Sequence, residues 1–166
     1  MAITLYIVRH GETEENVKGV FQGQTPGTLS AKGKQQAKAL QEQLSQIEFD
    51  VVLCSDLKRC IDTANIALEN IICNIIEEPL LRERDLGNLT GKQIKGATLN
   101  ETVENEAALK DRANRFIEKI KQKYPEKRII AFSHGFFSRI MQAELEGVTY
   151  SDVKLLDNCE IRRFSI

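Results

Sequence analysis

Residues 5–16, LYIVRHGETEEN, decide the fold, because a short apolar run ends there abruptly on Arg9 and His10. A second run, residues 129–135 with the sequence IIAFSHG, ends in the same way on His134. No other histidine occurs in the 166 residues of the chain. Short continuous apolar runs are typical of parallel strands that are covered on both faces. The sequence therefore predicts two buried strands, each followed directly by a histidine and a glycine.

The composition of the chain excludes several classes of protein. A length of 166 residues fits one domain, and 28% charged with 42% apolar residues is an ordinary globular balance. The net charge of −1 gives no bulk attraction to nucleic acid or to an anionic membrane. No apolar run approaches the roughly 20 residues that span a bilayer, and the first residues do not show the pattern of a signal peptide. We expect a cytoplasmic protein that binds neither nucleic acid nor membrane.

The cysteines do not indicate a metal site. Cys54, Cys60, Cys73 and Cys159 are spread along the chain without a CxxC pair. Scattered cysteines and two histidines favour packed, reduced thiols. We expect no metal and no cofactor.

Strand and helix patterns alternate along the chain. Apolar runs predict strands at residues 3–8, 51–54, 71–76, 128–132 and 160–166, the last at a sheet edge. Helical spacing predicts a helix that begins after Ser30 and carries Ala37, Leu40, Leu44 and Ile47, and further helices at residues 56–68, 104–123 and 136–145. Residues 80–100 lack periodicity, and residues 87–105 predict a mobile loop. This alternation predicts an α/β fold, a single domain over residues 1–166 with helices on both faces of its sheet.

The two histidines mark one edge of this sheet. Ligands of open α/β sheets bind beyond the carboxyl ends of the strands, so His10 and His134 face one crevice if their strands are neighbours. The glycine after each histidine permits close approach of a ligand to the backbone. Gly135 also begins a helix, and the N–H groups at a helix N-terminus favour an anion.

A second segment that favours an anion follows the second strand, at residues 54–64, CSDLKRCIDTA. Ser55 or Asp56 can cap the helix that begins there, which places Arg59 on its first turn. The guanidinium groups of Arg9 and Arg59 could then grip a phosphate bidentately.

Two carboxyl groups after the third strand, Glu83 and Asp85, are rival candidates for a general acid. With an imidazole and two guanidinium groups, such an acid completes a set for phosphoryl transfer. The imidazole would form a phosphohistidine, the cations would stabilise the phosphoryl oxygens, and the acid would protonate the leaving alkoxide and then activate water. This chemistry requires no metal, because side chains supply the positive charge.

Five segments, in order, resemble the phosphoglycerate mutase-like branch of the histidine phosphatase superfamily. They are Arg9-His10-Gly11-Glu12-Thr13 with Asn16; Phe21-Gln22-Gly23 followed by Leu29-Ser30 and Gly33; Ser55-Asp56-Leu57 with Arg59, Thr63 and Ala64; Leu81 and Glu83 with Gly87 and Gly91; and Ser133-His134-Gly135. Each motif alone is weak, but five at compatible spacings are specific and cover most of the chain. The resemblance implies a three-layer sandwich with a mixed, mostly parallel sheet flanked by helices.

The resemblance also implies roles for the matching residues. His10 would be the nucleophile that becomes phosphorylated, and Glu83 would be the general acid and base. The phosphate pocket would consist of Arg9, Arg59 and His134. Lesser contacts to phosphate or substrate would come from Asn16, Gln22, Gly23 and the backbone at Gly135. The implied protein is a phosphatase of the histidine acid phosphatase type, whose partner is a small phosphorylated substrate.

The chain departs from the family pattern at the substrate-recognition surface. Pro26 and Thr28 stand where Asp and Pro are frequent, and Leu89 and Thr90 where an aromatic residue and Glu are frequent. Only residues 105–107, NEA, correspond to an expected Gly-Glu-Ser element before the long helix. We therefore expect a short, reduced lid at about residues 87–105 and an open site.

Several alternatives stay open. A phosphoglycerate mutase would use the same chemistry, although a reduced lid would shield its intermediate poorly from water. Phosphohistidine-protein phosphatases of the superfamily are similarly small but generally lack the acid that corresponds to Glu83. A non-catalytic phospholigand-binding module would be favoured by loss of His10 or Glu83, and a nucleotide-binding regulator by glycine-rich motifs that this sequence lacks.

A nucleophilic Ser133 is disfavoured, because it and His134 would point to opposite faces of a strand. The sequence leaves the oligomeric state open.

Overall fold

The computed structural model describes residues 2–166. In this part of the chain the strands are Thr4–Arg9 (β1), Val51–Cys54 (β2), Ile75–Glu77 (β3), Arg128–Ser133 (β4) and Ile161–Ser165 (β5). The α-helices are Glu14–Lys18 (α1), Ala31–Ser45 (α2), Lys58–Ala67 (α3), Glu106–Lys123 (α4) and Gly135–Glu146 (α5). Short 3₁₀ helices lie at Pro79–Leu81, Gly87–Leu89 and Tyr150–Asp152. Within residues 2–166, no helix is both long enough and apolar enough to cross a membrane.

The sheet is mixed and mostly parallel. Its described strands follow the order β3-β2-β4-β1-β5. The first four in this order pair in parallel, and β5 pairs antiparallel with β1 at the edge, as predicted for the last strand. Strands β1 and β4 are direct neighbours, with Arg9 opposite Ser133. The two strands that end on histidines therefore lie side by side.

Alternate strand residues point into two hydrophobic cores, one on each face of the sheet. Leu5 and Ile7 of β1 pack in the core that contains α4 and α5, whereas Val8 packs in the core that contains α2 and α3. Fully buried side chains such as Phe116 on α4 and Leu40 on α2 contribute roughly 2 kcal/mol each through burial. The predicted three-layer α/β sandwich is confirmed.

The helix boundaries follow their capping residues. Ser30 caps α2 as predicted, since its Oγ accepts a hydrogen bond from the backbone N–H of Gly33 over 3.0 Å. The helix ends at Ser45, so Ile47 packs against the core from the following loop and not from the helix. Helix α4 begins two residues later than predicted, because Asn105 caps it through the N–H of Ala108 at 2.9 Å.

The third predicted strand is wrong in its first half. Strand β3 begins at Ile75, whereas the prediction begins at residue 71. The N–H of Ile71 donates to the carbonyl of Leu68 over 2.9 Å and so continues the turn that ends α3, and Ile72 is fully exposed. At this edge β3 has β2 as its partner over three residue pairs. Ile71 and Ile72 are β-branched and favour a strand, but within the described residues they have no neighbouring strand with which to pair.

Residues 80–105 contain more structure than the predicted loop. The 3₁₀ helices Pro79–Leu81 and Gly87–Leu89 lie in or next to this segment. Leu86, Leu89 and Val103 form a small buried cluster, against which Phe21 packs. This cluster connects the segment to the residues that follow α1.

Candidate active site

The carboxyl ends of β1 and β4 bring the two histidines together. The backbone N–H of His10 donates to the carbonyl of Ser133 over 3.1 Å. The centres of the His10 and His134 rings are 5.2 Å apart, with the ring planes inclined at 60°. A cavity of about 440 Å³ opens above this edge of the sheet, and His10 forms part of its wall.

His10 is held in one tautomer. Its Nδ1 lies 2.7 Å from the carbonyl oxygen of Gly11, and because a carbonyl only accepts, Nδ1 must carry the hydrogen. Its Nε2 therefore keeps a lone pair. Burial lowers the pKa of His10 well below its ordinary 6.5, the charges of Arg59 and Arg9 lower it further, and the bond to Gly11 offsets part of the effect. A neutral imidazole with a lone pair on Nε2 can act as a nucleophile.

The guanidinium groups of Arg9, which is partly buried, and Arg59, which is fully buried, line the same cavity as His10. Nη1 of Arg9 donates to the carbonyl of Leu156 at 2.6 Å. In Arg59, Nη1 donates to Thr25 O at 2.5 Å and Nη2 to Gly23 O at 2.7 Å. These hydrogen bonds occupy some of the guanidinium N–H groups that the predicted bidentate contact with phosphate requires. The Nε of each arginine is buried and has no partner among the described residues.

The unpartnered nitrogens make this place suited to an anion. A buried donor without an acceptor costs free energy, which an incoming acceptor recovers. Burial lowers the pKa of both Arg9 and Arg59, which indicates that their charges are poorly solvated. An anion in the cavity would compensate both charges.

The glycines after the histidines serve packing within the protein. A Cβ at Gly11 would lie 2.6 Å from the carbonyl oxygen of Gly33, so Gly11 lets the loop after β1 pack against the start of α2. A Cβ at Gly135 would lie 3.1 Å from Cζ and Nε of Arg9. Gly135 therefore leaves room for a guanidinium group, although it also lines the cavity. Contacts inside the chain thus require both glycines, and approach of a ligand to their backbone stays a prediction.

The carboxylate of Glu83 lies at the N-terminus of α5 and in the wall of the cavity. Its Oε1 accepts from the N–H groups of Arg84 at 2.8 Å and Phe137 at 2.9 Å, and its Oε2 from Phe136 at 3.1 Å. These three hydrogen bonds fix the position of the Glu83 carboxyl group at the start of the helix. Two of the N–H groups predicted for a ligand are thus occupied by Glu83.

Asp85, the rival acid, lies elsewhere. Its Oδ1 accepts from the N–H of Gly87 at 2.8 Å, and its side chain lines a separate hollow together with Arg112. Of the two carboxyl groups, Glu83 is the one that shares the cavity with His10.

His134 lies behind His10 and is fully buried. Its Nε2 is 2.8 Å from Oγ of Ser55 and 3.4 Å from Sγ of Cys60. Among residues 2–166 it is not one of those that line the cavity. Burial lowers the pKa of His134 well below 6.5, and the charges of Arg59 and His10 add to this. The structure thus brings His134 to the site as a neutral ring in contact with His10.

Neither predicted cap of α3 is correct. The N-cap is Leu57, which makes no side-chain hydrogen bond to the helix. Ser55 contacts His134 instead, and Asp56 binds the guanidinium of Arg82, with 2.7 Å between Oδ1 and Nε. Arg59 nevertheless lies on the first turn of α3, as predicted.

The hydroxyl of Ser133 is used within the fold. It is fully buried and donates to the carbonyl of Leu81 over 2.9 Å. Because this bond ties β4 to the 3₁₀ helix before Glu83, Ser133 has a structural partner and is not directed at a ligand. The alternative of a serine nucleophile is therefore not supported.

The remaining predicted contacts also line the cavity. Asn16 lies on α1, where it and Thr13 form a capping box with 3.1 Å between each side-chain oxygen and the other's N–H. The spacing of Thr13 and Asn16, three residues apart, was the available signal for α1, a helix that was not predicted from the sequence. Gln22 has a buried Oε1 without a partner among the described residues, and the carbonyl of Gly23 accepts from Arg59.

Sequence reasoning also missed the charged network behind Glu83. Arg112 on α4 donates from Nη1 to the carbonyls of Leu80 at 3.0 Å and Arg82 at 2.6 Å, and from Nη2 to that of Glu83 at 3.3 Å. The same guanidinium binds the carboxylate of Glu104, with Nη2 2.8 Å from Oε2. Arg112 lies on a helix rich in charged residues, so no pattern in the sequence distinguishes it.

The upper wall of the cavity is apolar. It carries the side chains of Val20, Phe21, Leu86, Ile94, Leu99, Phe136 and Leu155. These residues come from segments that are far apart in the sequence, and their convergence depends on the tertiary fold. Ile94 and Leu99 belong to the predicted lid, so the segment that follows Gly91 does contribute to the cavity.

Comparisons with known proteins identify the family to which this chain belongs. The model of the histidine phosphatase superfamily (branch 1) matches residues 5–166. The uncharacterized phosphatase PhoE of Bacillus subtilis (strain 168) is 31% identical over 147 residues, which cover 85% of this chain and 76% of that protein. The probable phosphoglycerate mutase GpmB of Escherichia coli O1:K1 / APEC is 31% identical, with 97% of this chain and 84% of that protein covered.

A solved structure gives the same answer for the fold. The alpha-ribazole phosphatase from Shigella flexneri is 26% identical and superposes with a TM-score of 0.87, over 96% of this chain and 89% of that one. The matched residues 5–166 include every segment from which the cavity is built. The resemblance indicated by the five motifs is confirmed. The chain belongs to branch 1 of the histidine phosphatase superfamily.

Proposed function

We propose that this protein is a metal-independent phosphomonoester hydrolase that acts through a phosphohistidine on His10, with a small phosphorylated metabolite as its substrate. One observation carries the proposal: a neutral imidazole, with its lone pair on Nε2, shares a cavity with two guanidinium groups whose buried Nε atoms lack partners among the described residues. A phosphate monoester supplies an electrophilic phosphorus for the first feature and anionic oxygens for the second.

In the first step, Nε2 of His10 attacks phosphorus. The P–N bond forms as the bond from phosphorus to the alcohol oxygen breaks, and protonated Glu83 gives its proton to that oxygen. The products are the free alcohol, N-phosphorylated His10 and ionised Glu83. Arg9 and Arg59 stabilise the charge that spreads over the three phosphoryl oxygens.

In the second step, water attacks phosphorus from the side that the alcohol has left. Ionised Glu83 takes a proton from this water as the new P–O bond forms and the P–N bond breaks. The electron pair returns to Nε2 of His10, and inorganic phosphate leaves. Glu83 is protonated again, so the cycle closes without a metal or a cofactor.

The other predicted residues have supporting roles in this proposal. His134 contacts the ring of His10 from behind and hydrogen bonds with Ser55, so it holds the nucleophile in position. Asn16, Gln22 and Gly23 bound the phosphate region of the cavity, and Gly135 accommodates Arg9.

A second candidate is a phosphotransferase that returns the phosphoryl group to a bound alcohol. The relation to a protein named as a phosphoglycerate mutase favours it. The relation to PhoE, which is named as a phosphatase, favours hydrolysis. Ile94 and Leu99 line the same cavity as His10 and are about half exposed, so in this proposal water enters the cavity past them.

The experiment is hydrolysis of para-nitrophenyl phosphate in EDTA between acidic and neutral pH, by the wild type and by His10→Ala. We expect turnover that survives EDTA and is lost in the variant, while circular dichroism shows that the variant is folded. Wild-type enzyme quenched during turnover should carry an acid-labile, base-stable phosphoryl group. Equal turnover by the variant would overturn the assignment of the nucleophile. Transfer of the phosphoryl group to added alcohol, in preference to water, would favour the phosphotransferase.

A further inference from the structure

The cavity that His10 lines has a polar part and an apolar part. The polar part includes the side chains of Arg9, His10, Arg59 and Glu83, of which His10 and Arg59 are almost fully buried. The apolar part consists mainly of Phe21, Leu86, Ile94, Leu99, Phe136 and Leu155. A small polar cluster inside apolar walls is typical of a site that fixes one polar group and encloses an apolar remainder.

The apolar side chains at the mouth are unusually accessible. The exposed fraction is 48% for Ile94, 51% for Leu99 and 39% for Leu155. Clustered exposure of large apolar residues marks a surface that a ligand or partner covers. Because these three residues line the cavity that also contains His10, a ligand held at His10 is the group that would cover them.

The polar groups of the walls are partly engaged by the protein itself. Nε of Arg84 donates to the carbonyl of Glu104 at 2.8 Å, and its guanidinium lies 5.0 Å from the centre of the Phe136 ring. The side-chain oxygen of Asn16 accepts from the N–H of Thr13. Apart from the unpartnered Oε1 of Gln22, a leaving group with several hydroxyls would find few replacements here for its bonds to water.

We propose that the substrate is a phosphate monoester of an apolar alcohol, with an aryl or unbranched alkyl group that packs along Leu86, Leu99 and Phe136. This inference rests on the proposed function, because it assumes that the phosphoryl group lies over His10. Sugar phosphates and phosphoglycerate, whose remainders are polar, are disfavoured by the same walls. The cavity volume of about 440 Å³ accommodates a remainder larger than three carbons.

Calorimetry with alkylphosphonates tests the inference without requiring turnover, because their C–P bond resists hydrolysis. The series is ethyl-, butyl- and hexylphosphonate, with 2,3-dihydroxypropylphosphonate against propylphosphonate as the polar comparison. We expect Kd to fall about fourfold per added methylene until the walls are covered. The dihydroxy compound should bind at least tenfold more weakly than propylphosphonate. Constant Kd along the series, or tighter binding of the dihydroxy compound, would overturn the inference.

A pair of variants locates the effect. Leu99→Gln should reduce the ratio of hexyl to ethyl affinity at least severalfold, because it replaces apolar wall by an amide. Ile72→Gln is the matched control, since Ile72 is fully exposed and does not line the cavity. The ratio of hexyl- to ethylphosphonate affinity in Ile72→Gln should equal that of the wild type. If both variants lower the ratio equally, the walls of this cavity are not the origin of the selectivity.

Turnover of ethyl and hexyl phosphate then separates the two proposals. Their leaving alcohols are nearly equal in acidity, so a difference in kcat/KM reports contacts and not intrinsic reactivity. Faster release of phosphate from the hexyl ester supports both proposals. If binding depends on chain length but no phosphate is released, the proposed hydrolase activity is contradicted and the proposed apolar ligand is retained. If phosphate is released equally from both esters and Kd is constant, only the proposal of an apolar ligand is contradicted.

Discussion

The reactivity of His10 depends on its other ring nitrogen. The carbonyl of Gly11 accepts from Nδ1, which directs the lone pair to Nε2 before substrate arrives. In the proposed mechanism, phosphorylation of Nε2 gives the ring a positive charge, which the same carbonyl stabilises. Arg9 and Arg59 oppose protonation of the free ring, and in this proposal they neutralise the bound phosphoryl group. The same residues would thus keep the nucleophile available and favour its phosphorylated product.

The buried histidines make stability depend on pH. The pKa of His10 and of His134 is lowered in the folded state, whereas the unfolded chain titrates near 6.5. As pH falls below 6.5, the unfolded state binds protons that the folded state does not, so stability is lost. We expect thermal stability to fall between pH 7 and pH 5, by at most about 1.4 kcal/mol per pH unit for each histidine.

Thermal unfolding followed by circular dichroism from pH 8 to pH 5 measures this loss. His10→Gln removes one of the two titrating groups, so its stability should depend less steeply on pH. Parallel pH profiles for the variant and the wild type would contradict the assignment to His10.

The role of Glu83 predicts an effect that depends on the leaving group. Glu83→Gln should lower kcat for an alkyl phosphate by roughly 10²–10⁴, since an alkoxide requires a proton to leave. For para-nitrophenyl phosphate, phosphorylation of His10 should be affected less, because nitrophenolate leaves without a proton. Rapid-quench measurements should then show a burst of nitrophenolate followed by slow turnover.

Asp85→Asn is the control for Glu83→Gln, because it alters a carboxylate two residues away that lies in a separate hollow. We expect neither the burst nor the selective loss with this variant. A larger loss from Asp85→Asn would reverse the assignment of the acid.

At the scale of elements, the sequence predicted those features that local patterns determine. The strands that end on His10 and His134 are continuous apolar runs, and Ser30 marks the start of α2 through a standard capping conformation. Strand β3 and the start of α3 were placed wrongly because tertiary partners decide them. Ile72 lacks a strand to pair with, and Ser55 and Asp56 bind His134 and Arg82 in place of the helix.

Helix α4 holds the segment that ends at Glu83 through Arg112. Its guanidinium binds carbonyls at and before Glu83 and lies 3.9 Å from the centre of the Phe137 ring, whose N–H binds Glu83. Arg112→Lys keeps the charge but loses the fork that reaches several carbonyls. We expect a loss of about 1–3 kcal/mol in stability from the unsatisfied groups, and a lower kcat for alkyl phosphates.

A double-mutant cycle separates positioning from stability. If Arg112 acts through Glu83, then Arg112→Lys should lower kcat in the wild type but have little further effect in the Glu83→Gln background. Arg115→Lys is the control on the same helix, because its ion pair with Asp111 is exposed. Equal, additive losses of kcat in both backgrounds would limit Arg112 to a structural role.

At the scale of the molecule, the cavity is assembled from residues that lie throughout the chain. His10 and Arg59 precede α4, Phe136 follows β4, and Leu155 lies beyond α5. The motifs in the sequence identified the polar base, because nucleophile, cations and acid must be particular residue types. They did not identify the apolar walls or Arg112. The local sequence pattern would be the same with any large apolar residue in the walls, or with any charged residue on the helix. Their function depends on convergence in space.

This assembly links ligand binding to unfolding of the whole domain. Inorganic phosphate that binds between Arg9 and Arg59 binds only the folded state, because the unfolded chain does not hold the two guanidinium groups together. At 100 times its Kd, phosphate should stabilise the protein by about 2.7 kcal/mol, which corresponds to a rise in Tm of roughly 5–10 °C for a domain of this size. Scanning fluorimetry at constant ionic strength measures the shift. Arg59→Gln should remove most of it, whereas Arg163→Gln on the exposed edge strand should retain it. An equal shift in Tm for both variants would show that the stabilising phosphate binds at a site other than the one between Arg9 and Arg59.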